Sequence, residues 1–127
     1  MTQDDAVLRW KESAREDWVV AESLFRDKKY SHCLFFCHLA LEKFLKALII
    51  KRTDATPPIT HNIVQLTHEA GISYTKLTKN ELDEISSFNI EARYDVYKRM
   101  LYKKANEEFT GRYFHKVKEF ILWLEKQ

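Results

Sequence analysis

The densest apolar stretch of the chain runs from Ser31 to Ile50. At the α-helical period its apolar side chains cover one broad arc. They also interrupt the opposite arc, where His38, Glu42 and Lys46 follow one another at four-residue spacing. A helix that is apolar on nearly every side is typical of the centre of a bundle. We therefore expect a central helix that its neighbours cover along most of its length.

The charged side chains of this helix need a partner if they are buried, because unpaired charge is costly to remove from water. Two interpretations are open. Glu42, Lys43 and Lys46 face a cleft, a partner chain or a compensating charge. Alternatively, Glu42 and Lys46 form an ordinary surface pair one turn apart, which contributes little to stability. Periodicity alone does not distinguish them.

Helical periodicity and capping signals predict four further helices. A tight turn at Lys28–Tyr30 should join the first two helices as an antiparallel hairpin, and the prolines at 57 and 58 should end the second. The predicted fold class is all-α, an antiparallel up-and-down bundle of four long helices plus one short helix in a single domain over residues 1–127. The expected helices are Asp4–Asp27, Ser31–Arg52, Thr60–Gly71, a helix opening at Thr78 and fading after Asn89, and Asn106–Glu125.

The segment from Glu91 to Lys104 lacks a regular apolar pattern, and we expect it to be irregular. It is dense in Arg, Lys and Tyr. Arg and Lys can hold phosphate oxygens, and Tyr rings can stack on bases. The alternative is a solvated charged loop that its tyrosines anchor to the bundle.

Composition agrees with long helices, since only two Gly and two Pro occur in 127 residues. The net charge of +2 is too mild to indicate nucleic-acid binding, although carboxylates crowd the first segment and cations the last third. Cys33 and Cys37 lie one helical turn apart, which is unsuited to a relaxed disulfide. The two cysteines predict a reduced, cytoplasmic protein. The polar start of the chain and the lack of an apolar run of membrane-spanning length predict that it has no membrane segment.

Four other positions carry specific expectations. Asp17 falls on the apolar stripe of the first helix, either as an edge residue that reaches solvent or as the counter-charge of a cation from another helix. His61 is expected to be an imidazole at a helix start with a local hydrogen bond. Leu122 and Trp123 should lie on the outer side of the last helix and suggest a subunit contact. The spacing of His, Cys and carboxylates predicts no metal site, and no cofactor is expected.

Several segments together resemble a known family. Their order and spacing are similar to those of the HEPN domain, a small helical module named for higher eukaryotes and prokaryotes nucleotide binding. The resemblance implies a helical bundle that usually forms a homodimer and is often encoded beside a minimal nucleotidyltransferase as a toxin–antitoxin-like pair. It rests on Ala14, Asp17, Trp18, Ala21 and Leu24, the turn at Tyr30, LALEKFLKALI (Leu39 to Ile49), THNIVQL (Thr60 to Leu66) and EARYD (Glu91 to Asp95).

Many HEPN proteins are metal-independent ribonucleases in which four to six residues separate an Arg from a following His. Counted from Arg93, those positions hold Lys98, Arg99 and Met100. The motif is therefore absent, and no catalytic residue is assigned. Inward polar residues of a bundle commonly build its sites, and the resemblance implies a nucleotide or RNA-phosphate cleft. The predicted ligand-binding residues are Glu42, Lys43, Lys46, Arg93, Tyr94 and Asp95, with Asp17, His61 and Arg99 as accessory residues.

Three functional hypotheses follow. The first is a dimeric HEPN protein that binds nucleotide or RNA phosphates and works with a minimal nucleotidyltransferase. The second is a ribonuclease toxin that uses unorthodox residues such as His61, Tyr94 or Arg99. The third is a structural dimerisation module in which Glu42, Lys43 and Arg93 tie helices or chains together.

Overall fold

The computed structural model describes residues 2–73 and 75–127, which fold into a bundle of six α-helices. The all-α prediction is confirmed. Within the described part of the chain, no helix has both the length and the hydropathy needed to cross a bilayer. The helices are α1 (Gln3–Arg26), α2 (Tyr30–Thr53), α3 (Ile63–Glu69), α4 (Lys79–Arg93), α5 (Asp95–Lys104) and α6 (Glu107–Glu125).

Helix α2 is the centre of the bundle, as its apolar pattern predicts. It packs against each of the other five helices. From Ala40 to Ile50 every side chain except Lys43 is buried, including Glu42 and Lys46. These two residues are therefore a buried pair rather than an ordinary surface pair.

Helices α1 and α2 form the predicted antiparallel hairpin. The Gln3 side chain donates to the Ile50 carbonyl at one end, and the Cys33 thiol donates to the Ala21 carbonyl near the other. The turn between them contains no glycine, so Lys28 itself adopts the left-handed conformation with φ of 58°. Cys33 and Cys37 are buried free thiols, in agreement with the prediction that they form no disulfide.

Helix α3 begins two residues later than predicted. Asn62, not Thr60, is the N-cap, and its side chain accepts a hydrogen bond from the Gln65 amide. Thr60 instead holds the preceding turn, because its hydroxyl accepts from the Asn62 amide. The C-terminal prediction is confirmed, since Gly71 follows the helix with φ of 74°, which favours glycine.

The segment predicted to be irregular is helical on both sides of a single break. Helix α4 continues to Arg93, Tyr94 is extended, and α5 follows at once. The prediction was wrong because it relied on apolar periodicity, whereas α5 buries only Leu101 and exposes most of its surface. Ion pairs from Lys104 to Glu84 (2.9 Å) and Glu91 (3.0 Å) attach α5 to α4.

Helix α6 closes the bundle mainly against α2, and its aromatic rings also reach α1 and α4. Its predicted stripe packs inward, where the Phe114 ring stacks on Trp18 at 4.9 Å and meets Phe25 edge-on at 4.5 Å. Leu122 and Trp123 lie on the outer side, as expected, with 55% and 40% of their surfaces exposed.

Candidate functional site

The Glu42 carboxylate gathers polar contacts from α2 and from the segment before α3. Its Oε2 accepts a hydrogen bond from Lys46 Nζ at 3.0 Å, one turn along α2. Its Oε1 lies 2.8 Å from His61 Nδ1 and 3.6 Å from His38 Nε2. His61 is thus hydrogen-bonded to a residue 19 positions away in the sequence, so the expectation of a purely local bond was wrong.

His38 fixes the backbone of the same segment. Its Nε2 lies 3.0 Å from the His61 carbonyl oxygen, and its side chain is fully buried. Burial lowers the pKa of His38, and the His61 and Arg93 charges lower it further, against the raising effects of the His61 carbonyl and Glu42. We therefore take His38 as neutral, donating its Nε2 proton to the His61 carbonyl.

The environment of Glu42 favours its ionised form. Burial by itself would raise the pKa of this carboxyl group, but hydrogen bonds from His61 and Lys46 outweigh it, and the net pKa is lowered. The Lys46 ammonium also lies 5.4 Å from the centre of the Trp10 ring, a cation–π distance that adds to its burial.

His61 is the exposed member of this network, with 48% of its side chain open to solvent. The Glu42 carboxylate is hydrogen-bonded to Nδ1 of the His61 ring. Within residues 2–73 and 75–127, no group is hydrogen-bonded to the other ring nitrogen, Nε2. A carboxylate that orients an imidazole in this way leaves the other nitrogen able to exchange a proton with a bound molecule.

Lys43 points to a different face of α2 from Glu42 and Lys46. Its Nζ pairs with Asp17 at 2.6 Å and donates to Ser13 Oγ at 2.7 Å, both on α1. Asp17 is therefore the counter-charge of a cation from another helix, the second of its two predicted roles. This pair ties α1 to α2 and is separate from the Glu42 network.

Arg93, Tyr94 and Asp95 lie at the break between α4 and α5 and are all exposed. The Arg93 charge contributes to the lowered pKa of His38, after the larger effect of burial. In the described part of the chain Arg93 forms no ion pair with Glu42. The six predicted ligand residues therefore divide into three groups: the Glu42–Lys46 network, Lys43 with α1, and the exposed α4–α5 break.

A cavity of about 680 Å³ lies between the N-terminal half of α2 and α5. Phe35 and Phe36 supply aromatic walls from α2, and Lys98, Arg99 and Tyr102 face them from α5. His32 also lines the cavity, and it lies ten residues before Glu42, a separation of roughly 15 Å along α2. Of the predicted site residues, Arg99 is the one that lines this cavity. Its lining residues are Ser31, His32, Phe35, Phe36, Ala92, Lys98, Arg99, Leu101, Tyr102 and Lys103.

Sequence reasoning found the cations and tyrosines of this segment but not the cavity. Treating residues 95–104 as a helix would have placed Lys98 beside Tyr102 and Arg99 beside Lys103, each pair at four-residue spacing. The facing phenylalanines lie on a helix that is apolar on nearly every side, so no signal marked them as only half-buried.

A second cavity, of about 540 Å³, lies between the segment before α4 and α6. Trp123, Phe120 and Leu77 form its apolar wall, and Lys116 and Glu119 border it. The Lys116 ammonium already pairs with Glu81 at 2.5 Å. Among the described residues, no three His, Cys, Asp or Glu side chains are grouped so as to hold a metal ion.

Comparison with known proteins gives one result. The family model of the HEPN domain matches residues 7–127, nearly the whole chain. No curated protein and no solved structure matches the chain. The match agrees with the helical bundle and with the motifs from which the resemblance was inferred. The chain therefore belongs to the HEPN domain family.

Proposed function

We propose that this HEPN protein binds nucleotides or the phosphate groups of RNA in the cavity between α2 and α5. One observation carries the proposal. Three cations, Lys98, Arg99 and Lys103, line an aromatic-walled cavity, and in the described part of the chain none of them pairs with a carboxylate. Cations held beside one another without counter-charges favour an anionic ligand.

The beginning of α2 adds to this positive potential. Ser31 and His32 of its first turn line the cavity, and the N-cap residue Lys29 makes no side-chain capping bond. The first amides of a helix carry the positive end of its dipole and bind phosphate oxygens when no side chain caps them. This contribution supplements the α5 cations.

The aromatic lining favours a ligand that carries a flat ring as well as a phosphate. Phe35, Phe36 and Tyr102 offer ring faces or edges to the same space. Stacking on an aromatic side chain contributes about 1–3 kcal/mol per base and tolerates any base. A cavity of about 680 Å³ also lies within the usual size range of small-molecule sites.

The predicted site residues take different roles in this proposal. Arg93, Tyr94 and Asp95 lie at the break next to Ala92, which lines the cavity, and they extend the ligand-contacting edge. Glu42 and Lys46 act indirectly, because Glu42, paired with Lys46, bonds to His61 and so holds the segment before α3 against α2. Lys43 and Asp17 keep α1 attached to α2.

The test is calorimetric titration of the protein with AMP and with a short single-stranded RNA. We expect Arg99→Ala to weaken binding by roughly 10- to 100-fold, the usual effect of losing a hydrogen bond to a charged group. Tyr102→Leu should weaken binding of the RNA more than binding of inorganic phosphate, because the substitution removes only the ring on which a base stacks. Arg26→Ala, an exposed substitution at the end of α1, is the matched control. Equal binding by wild type and Arg99→Ala would contradict the proposal.

We further propose that the protein acts in the cytoplasm as a homodimer beside a minimal nucleotidyltransferase, in a toxin–antitoxin-like pair. Membership of the HEPN family supports this context. Co-purification with the product of a neighbouring nucleotidyltransferase gene is the expected result. A protein that neither dimerises nor retains such a partner would contradict it.

A ribonuclease is the second candidate function, and the His61–Glu42 pair favours it. The oriented imidazole could remove a proton from a ribose hydroxyl, although no His follows Arg93 at the spacing of the family's Arg–His motif. Cleavage of RNA by the wild type that His61→Gln abolishes would support this function. Intact RNA after incubation with the wild type would exclude it.

A further inference from the structure

The cavity between α6 and the segment before α4 combines an apolar wall with charged groups. We refer to it as the α6 cavity. The rings of Phe120 and Trp123 lie 6.3 Å apart at an angle of 46°, and Leu77 packs into the same wall. Phe120 and Leu77 are buried, whereas Trp123 is partly exposed. The volume of about 540 Å³ falls within the usual range of small-molecule sites.

The charged side chains that line the α6 cavity carry both signs. The Lys116 ammonium is already neutralised, because its Nζ lies 2.5 Å from Glu81 Oε2. Lys76, from the segment before α4, and Glu119, from α6, are both exposed. Neither of them forms an ion pair within residues 2–73 and 75–127. The cavity is therefore left with one unpaired cation and one unpaired anion.

The segment that carries Lys76 is held in place by its own turn. The Thr75 hydroxyl donates to the Leu77 carbonyl at 2.7 Å and accepts from the Leu77 amide at 3.1 Å. The next residue, Thr78, is the N-cap of α4. The backbone around Lys76 is thus ordered without a ligand, and binding requires less further ordering of the chain.

The charge pattern of the α6 cavity differs from that of the cavity between α2 and α5. The two cavities share no lining residue. Three unpaired cations line the α2–α5 cavity, which favours phosphate groups. In the α6 cavity the unpaired carboxylate of Glu119 repels a polyanion, and only Lys76 offers it an unpaired cation. Nucleotides and RNA therefore do not suit the α6 cavity.

The ligand that matches this lining has an apolar body, an ammonium and a carboxylate. Glu119 and Trp123 are four residues apart on α6, so a carboxylate and an aromatic ring lie next to each other. Both attract an ammonium, the carboxylate by charge and the ring by a cation–π interaction. The carboxylate of the ligand would pair with Lys76, and its apolar body would pack against Phe120 and Trp123. Apolar α-amino acids carry these three groups.

We propose that the α6 cavity is a binding site for apolar α-amino acids. Glu119 contacts the ammonium of the ligand, Lys76 its carboxylate, and the Trp123 ring its side chain. The proposal concerns a different site from the proposed nucleotide site, so neither depends on the other. It gives Trp123 a role in ligand binding, whereas Leu122 does not line the cavity.

Calorimetric titration of the full chain with L-phenylalanine and two analogues tests the site. Hydrocinnamate lacks the ammonium, and phenethylamine lacks the carboxylate. We expect L-phenylalanine to bind with a Kd in the millimolar range or below. Each analogue should bind roughly fivefold more weakly, the effect of losing one ion pair at an exposed edge. A wild type that gives no binding heat with millimolar L-phenylalanine, or that binds both analogues equally well, would overturn the proposal.

Two charge-neutralising variants assign the contacts. Glu119→Gln should abolish the preference for L-phenylalanine over hydrocinnamate, and Lys76→Gln should abolish the preference over phenethylamine, because each removes the partner of the group that the analogue lacks. Glu108→Gln and Lys118→Gln, exposed changes elsewhere on α6, are the matched controls and should keep both preferences. Preferences that Glu119→Gln and Lys76→Gln retain would overturn the assignment of this cavity.

Trp123→Leu and a competition experiment complete the test. Trp123→Leu should weaken L-phenylalanine and both analogues alike, while Leu122→Ala, the neighbouring exposed change, should weaken none of them. Circular dichroism melts of both variants show whether the fold is retained. AMP should not displace L-phenylalanine from the wild type. Displacement by AMP would overturn the proposal that the α6 cavity is a separate site.

Discussion

Glu42 shows how a single buried charge is kept ionised inside an apolar bundle. Its carboxylate receives donors from Lys46 at 3.0 Å and His61 at 2.8 Å, while its side chain is 6% exposed. Removing a carboxylate from water costs several kcal/mol unless partners replace the lost hydration. The polar contacts of α2 are thus a condition for placing charge on the central helix. They also fix the position of His61.

This arrangement predicts a large loss of stability when one partner is removed. Lys46→Met leaves Glu42 buried without its ammonium partner, and we expect the free energy of unfolding to fall by about 3 kcal/mol. Urea denaturation measures the change. Lys79→Met is the control, because the Lys79–Asp83 pair has the same 3.0 Å distance and four-residue spacing but is exposed. Its loss should lower the free energy of unfolding by less than about 0.5 kcal/mol. Similar losses in the two variants would contradict the buried-pair interpretation.

At the scale of elements, α4 is the helix most firmly tied at its start. Thr78 and Glu81 form the predicted capping box, and Glu81 also receives Lys116 at 2.5 Å and Arg112 at 3.3 Å from α6. Hydrogen bonding from Lys116, followed by the Thr78 amide, lowers the pKa of Glu81 to about 2. One carboxylate therefore caps α4 and joins it to α6.

The lowered pKa of Glu81 predicts acid sensitivity of a particular sign. A carboxylate that ionises more readily in the folded state stabilises the protein above its unfolded pKa of about 4.3, and this contribution is lost as the pH falls towards 2. We expect Glu81→Gln to be less stable than wild type at pH 7. Its stability should also fall less steeply than that of wild type between pH 4.5 and 2 in thermal melts.

The control is the second capping box, at the start of α1. Asp5 and Thr2 make the same reciprocal bonds there, but Asp5 is exposed and no cation from another helix reaches it. The Thr2 amide and hydroxyl lower the pKa of Asp5 without help from a cation of another helix, so Asp5→Asn should change the acid-denaturation profile less than Glu81→Gln does. A Glu81→Gln profile that parallels wild type would contradict the assignment.

At the scale of the whole molecule, opposite charges are separated along the chain. Carboxylates are frequent on the exposed side of α1, whereas α5 presents Lys98, Arg99 and Lys103 beside the cavity. A net charge of only +2 conceals this separation. Local potential, rather than net charge, decides where a phosphate-bearing ligand approaches.

This distribution predicts salt-dependent binding of single-stranded RNA. If the three α5 cations each neutralise one phosphate, the logarithm of the association constant should fall with the logarithm of salt concentration at a slope of about −2. Lys98→Ala should reduce the magnitude of that slope by about 0.7. Fluorescence titrations at several salt concentrations measure it, and Lys118→Ala, an exposed change on α6, should leave it unchanged. A slope that Lys98→Ala leaves as unchanged as Lys118→Ala does would argue against contact between the cavity and RNA.

The helical architecture and the family follow from the sequence alone. Local signals decide where these helices begin and end, as the capping box at Thr78 and the left-handed Gly71 illustrate. Apolar periodicity identified α2 as the central helix, because only a helix surrounded by others can be apolar on nearly all sides. The motifs from Leu39 to Ile49 and from Glu91 to Asp95 indicate the HEPN family without reference to the fold.

Which polar residues meet depends on how the helices pack against one another. Glu42 and His61, and Lys43 and Asp17, lie on different segments, and no local periodicity specifies their contacts. Helix α5 escaped prediction because frequent Lys and Arg residues obscure its apolar side chains, although these recur at helical spacing. The cavity depends on how α5 packs beside Phe35 and Phe36. Distances between separate helices follow from the packing of the whole chain, which sequence spacing within one helix does not encode.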